Sequence, residues 1–269
     1  MEKSKKILKI YTLCFILLAV ACIVLRAFSL VFFYDSDVGY YKTGAVLPTV
    51  FHIFCIASFA AAAVLIFLLP KNAPFGELVP GKLTRFASAF QAVVTFAMAV
   101  YLVYLYGRKE VPVPAVALLC VAGAFFAVIY FVLVASGKAV SGKDGAVLCG
   151  YGVIFYVIML LASSYFDFHT TMNSPNKMLL QIAMMSVMAA FLLELRALLC
   201  IARPGVYAAF TLFAAFASGV SSVPGIIFFI KGTLTKPIYF ACDFVLLGFC
   251  FYFISRYFGW LRSFFSAKK

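Results

Sequence analysis

Long apolar blocks separated by short polar runs make up nearly the whole of this chain. Blocks at about 8–33, 45–69, 85–106, 113–135, 145–166, 176–200, 206–230 and 237–258 approach or exceed the ~20 residues needed to cross ~30 Å of hydrocarbon. Their apolar residues follow no amphipathic period. That is the pattern of helices that satisfy their backbone hydrogen bonds internally within lipid. Charged residues are 12% of the chain, about half the share of a soluble domain. The predicted fold is an all-α, polytopic integral membrane bundle of about eight transmembrane helices. It forms one transmembrane domain over residues 1–269, and its loops leave no room for a soluble one.

The charges orient such a bundle. Of the 22 Lys and Arg residues, Arg26 alone lies deep within a span. Lys42, Arg108, Lys109, Lys177, Lys231 and Lys236 fall on one side. The other fifteen, from Lys3 through Lys71, Lys143 and Arg256 to Lys268 and Lys269, fall on the side of the two termini. That bias predicts both termini in the cytoplasm. A net charge of +13 could suggest nucleic acid, but no soluble domain gathers it. Its expected partners are anionic lipid headgroups at the cytoplasmic face.

The N-terminal run resembles a signal peptide, with Ala19-Val20-Ala21-Cys22 as a poor lipoprotein site. The apolar stretch continues to Phe33, so an uncleaved first helix is expected. All eight cysteines, Cys200 among them, fall in apolar blocks without a C-x-x-C pair and read as packing residues. The tail from Arg256, with Trp260 among its aromatics, is expected at the inner interface, Trp260 at headgroup level. A faint echo between Phe32-Phe33-Tyr34-Asp35 and Tyr165-Phe166-Asp167-Phe168 suggests a 4+4 duplication, residues 1–136 and 137–269.

Ionisable residues inside spans cost several kcal/mol unless paired or hydrated, which makes each a functional candidate. At ~1.5 Å per residue, Arg26 and Asp243 lie roughly 6–9 Å below the outer boundary and His52 roughly 12 Å. A shared outward-facing pocket is one reading, with Arg26 and Asp243 paired beside His52. The plainer reading has Arg26 snorkelling to the headgroups and Asp243 and His52 bonding locally. In the seventh span, Ala214, Ser218, Ser221 and Gly225 share one helix face, beside Ser222 and Pro224. Pro224 predicts a kink whose freed carbonyls can line a site, and the small stripe equally suits close packing. Ala57–Ala63 of the second span has the same packing character.

At the inner level, Arg85 and Gln91 lie at a depth from which to answer Glu194, as a gate or as a structural pair. In the loop before the sixth span, Asn173 or Ser174 can cap the helix, with Pro175 in its first turn. Asp167 and His169 supply too few ligands for a metal, and Asp35 and Asp37 make the outer mouth slightly negative. No Walker A, H-E-x-x-H or G-x-S-x-G motif occurs; no cofactor or metal is expected.

The leading expectation is a transporter, or the membrane subunit of one, for a small solute or ion. The alternative is a non-catalytic scaffold or sensor acting through a protein partner. A third class is an intramembrane lipid-modifying enzyme using His52 and Asp243. The expected location is the bacterial inner membrane.

Overall fold

The computed structural model describes residues 2–35, 38–69, 79–139, 144–167, 173–199, 201–231 and 237–266. Asp37, Lys71, Lys143, His169, Cys200, Lys236, Lys268 and Lys269 lie outside the described residues. Among the described residues, eight helices are long and apolar enough to cross a membrane. They are α1 (Glu2–Phe33), α2 (Val46–Leu68), α3 (Lys82–Gly107), α4 (Pro114–Ala135), α5 (Asp144–Tyr165), α6 (Pro175–Leu198), α7 (Pro204–Ile230) and α8 (Pro237–Ser266). The chain is an all-α polytopic membrane bundle.

Local chemistry sets several helix starts. Ser174 Oγ accepts the Lys177 backbone N–H at 3.3 Å, and Pro175 follows at the first helical position. Pro114 and Pro204 open α4 and α7 in the same way, where their missing N–H costs nothing. A short hairpin joins α1 to α2: β1 (Tyr34–Asp35) pairs antiparallel with β2 (Tyr40–Tyr41), Tyr34 opposite Tyr41. Gly39 takes the positive φ of 81° that its turn requires.

Each helix from α3 to α8 packs on the next, and α8 closes back on α3. These six form a ring. The pair α1 and α2 stands outside it, with both helices against α7. Hence α7 is the hub, and Ala214, Ser218, Ser221 and Gly225 are all buried there. Their small side chains admit α8 closely; a Cβ at Gly219 would lie 3.0 Å from Cys250 Sγ. On α2, only Ser58 and Ala62 of the 57–63 stretch are fully buried, while Ala57, Ala60 and Ala63 are exposed.

The hairpin marks one face of the bundle. Lys9 of α1 lies 5.3 Å over the Phe265 ring of α8, and Thr12 bonds Tyr257 Oη at 2.8 Å. Both ends of the chain therefore share the opposite face. The C-terminal tail departs from the sequence expectation here. It continues α8 to Ser266, and Trp260 is only 1% exposed, between Tyr257 and Phe264. The reason is a helical stripe. Tyr257, Trp260, Leu261 and Phe264 recur at spacings of three, one and three, and bury against Leu8 and Phe15 of α1.

Candidate functional site

Pro224 has no N–H to give the Val220 carbonyl four residues back, and its ring crowds that preceding turn. Inside a membrane bundle the missing donor must come from a neighbouring helix, a side chain or an ordered water. Arg26 of α1 supplies it. One of its terminal nitrogens (Nη1) donates to Val220 O and to Ser221 O, the latter at 2.5 Å. The other (Nη2) donates to Asn176 Oδ1 at 3.2 Å, in the first turn of α6. Only 3% exposed, Arg26 thus ties α1, α6 and α7 together from inside the bundle. It does not snorkel toward the headgroups.

Asp243 of α8 faces α7 at Gly225. A Cβ at Gly225 would collide with the Asp243 carboxylate, so glycine is what permits this approach. The carboxylate is 7% exposed and has no hydrogen-bond partner among the described residues. It borders a cavity of about 70 Å³ shared with Arg26, Tyr34, Asn176, Lys177 and Ser221. The second cation, Lys177, is 2% exposed, and its Nζ donates to Asp167 O at 2.7 Å and Tyr165 O at 3.4 Å. Tyr239, also on the cavity wall, donates to Asp167 Oδ2 at 2.6 Å. Ser218, Ser221 and Ser222 are buried, and their hydroxyls have no hydrogen-bond partner among the described residues.

An asymmetry follows. Arg26 and Lys177 both donate to backbone carbonyls, while the Asp243 carboxyl receives no hydrogen bond among the described residues. What the cavity lacks is a positive or hydrogen-donating group at Asp243. Its volume suits a few waters, an ion or a very small solute. Above it, in the hairpin and outside the spans, burial raises the Tyr34 and Tyr41 phenols beyond their ordinary value of 10.0. Both remain neutral hydrogen-bond donors near pH 7.

The expected trio is therefore split. Arg26 and Asp243 share a cavity without a hydrogen bond or ion pair between them. His52 borders a different one, of about 270 Å³, with its ring 6.1 Å from Tyr41 and 5.2 Å from Phe51. Arg26 lines both cavities and stands between them.

Toward the opposite face lies a second buried polar cluster. Glu194 of α6, fully buried, accepts two hydrogen bonds on Oε1, from Tyr130 Oη at 2.9 Å and Tyr252 Oη at 2.5 Å, and the same oxygen forms an ion pair with Arg256 Nη2 at 2.6 Å. Arg256 Nε also donates to Tyr252 Oη at 3.0 Å. The partners expected for Glu194 are elsewhere. Arg85 donates to Pro80 O at 3.2 Å, and Gln91 donates to Thr95 Oγ1 at 3.4 Å and packs against Gly248. A signal for Arg256 was present in the sequence. It follows Phe249, Tyr252 and Phe253 on one helical stripe, so it faces inward with them rather than outward with the basic tail. Asn176 and Lys177, hidden as loop and helix-start residues, were likewise missed.

Comparison with known proteins returns no match: no protein-family model fits the chain, and neither a curated protein nor a solved structure is similar to it.

Proposed function

We propose that the chain is a membrane transporter, or the membrane subunit of one, for a small solute or ion, with Asp243 as the group that engages the cargo. The carrying observation is the buried Asp243 carboxyl, without a hydrogen-bond donor among the described residues, on the wall of a small cavity that Arg26 and Lys177 also line at the hairpin face. A carboxyl group without a hydrogen-bond donor at this depth is expensive, and such groups mark ion and substrate pathways. Pro224 in α7 beside it supports the reading, since backbone carbonyls that a helix leaves without an N–H can line transporter sites. With both termini cytoplasmic, as the charge bias favours, this cavity faces outward. The bacterial inner membrane is the location proposed with it.

The test is thermal stability of the detergent-purified protein against a panel of inorganic cations, small amines and amino acids. A cargo present at about 100 times its Kd adds about 2.7 kcal/mol to the folded state, a shift of several degrees. Asp243→Asn keeps the shape of the side chain and removes its charge. It is expected to melt near the parent and to lose the shift, and vesicle uptake of the same compound should fall with it. A ligand that stabilises parent and variant equally would place binding elsewhere and overturn the assignment.

A further inference from the structure

A long crevice runs down the outside of α2. On that helix His52, Cys55, Ile56, Phe59, Ala63 and Ile66 line it, all on one face. Over its upper half the facing wall is α6, through Met178 and Ile182; over its lower half it is α7, through Phe210 and Phe213. It consists of two cavities, of about 270 and 160 Å³, with Phe59 on the wall of both. Helix α2 packs on α1 and α7 but not closely on α6, so the crevice opens sideways, where the bilayer lies.

The chemistry changes along its length. At the hairpin end stand Arg26, His52 and Tyr41, with Lys42 exposed on the next residue. Below them the walls are aliphatic and aromatic. From His52 to Ile66 is fourteen residues of helix, roughly 21 Å at the standard rise. One leaflet is about half of a ~30 Å hydrocarbon core. A cationic, hydrogen-donating end beside an apolar slot of this length is the complement of a single lipid with a negative headgroup.

We propose that this crevice binds one anionic phospholipid, its phosphate at Arg26, His52 and Tyr41 and an acyl chain along α2 past Phe59. The lipid sits across Arg26 from the Asp243 cavity, and its binding does not depend on what that cavity holds. Because Arg26 also donates to the Val220 and Ser221 carbonyls of α7, the lipid phosphate lies next to a residue that lines the Asp243 cavity.

The test is native mass spectrometry of the delipidated, detergent-purified protein titrated with dioleoyl phosphatidylglycerol or dioleoyl phosphatidylcholine. The expected result is a first phosphatidylglycerol bound about tenfold more tightly than phosphatidylcholine. Ala63→Trp fills the exposed slot and should remove that first site. His52→Ala should keep a lipid but lose most of the headgroup preference. Phe86→Trp, on the exposed face of α3, should change neither. Melting temperatures within a few degrees of the parent confirm that each variant folds; if Ala63→Trp does not, Ala63→Phe replaces it. Equal binding of the two lipids, or an unchanged first site in the slot-filling variant, overturns the proposal in favour of ordinary annular lipid.

Discussion

A proline inside a membrane helix leaves a carbonyl without a donor, and in this chain an arginine from another helix answers it. Val220 and Ser221 offer their carbonyls to Arg26, which also reaches Asn176. The exchange explains how a guanidinium can lie at 3% exposure with no acid hydrogen-bonded to it: its charge is spread over backbone dipoles. It also makes Arg26 and Pro224 dependent on each other, and that dependence is measurable. Arg26→Met leaves buried acceptors unsatisfied and should destabilise the parent by about 1–3 kcal/mol. Pro224→Ala restores the N–H that Val220 lacks, so the same arginine change should cost less in that background. A double-mutant cycle on melting in detergent should give a coupling of about 0.5–3 kcal/mol. Strict additivity would mean that the arginine is held for some other reason.

At the scale of helices, the ring closes through α8, and the Glu194 cluster pins α8 to α6 and α4. Glu194 and Arg256 are almost fully buried, at 0% and 2% side-chain exposure. Such pairs owe their effect on stability mostly to what happens when one partner is removed. Arg256→Met strands the Glu194 charge among tyrosines and should cost about 3–5 kcal/mol. Glu194→Gln with Arg256→Met together should recover most of that loss, because no charge is then left alone. Chemical or thermal unfolding of the three variants in one detergent checks both steps. If the double variant is as weak as the single, the cluster acts through packing. Of this cluster only Glu194 was legible beforehand. Tyr130 and Tyr252 look like any aromatics in an apolar run, and Arg256 stands near a basic end and reads as part of the tail. Hydropathy averages over a helix circumference, so it locates a span and misses which face a single cation takes.

For the molecule as a whole, the eight spans and most of their ends could be read from block length alone, since the hydrocarbon thickness fixes that length. The ring of six with α1 and α2 outside it could not. Helices meet in lipid through packing and polar contacts that depend on partners distant in sequence, such as Arg26 with residues some two hundred positions later. Orientation stands between these cases: the geometry places both ends of the chain on the face opposite the hairpin, and only the Lys and Arg bias assigns those faces to compartments. Single-cysteine accessibility in intact cells, on a background with the native thiols replaced, tests the two together. Lys42→Cys in the hairpin and Arg108→Cys after α3 are exposed residues of the same face, and should react with an impermeant maleimide added outside. Arg203→Cys before α7 and Lys138→Cys after α4 should react only once the membrane is opened. Labelling of all four in the reverse sense would invert the protein and turn the Asp243 cavity toward the cytoplasm. Labelling of Lys42→Cys and Lys138→Cys from one side would break the eight-span count itself, because an odd number of crossings separates them in this fold.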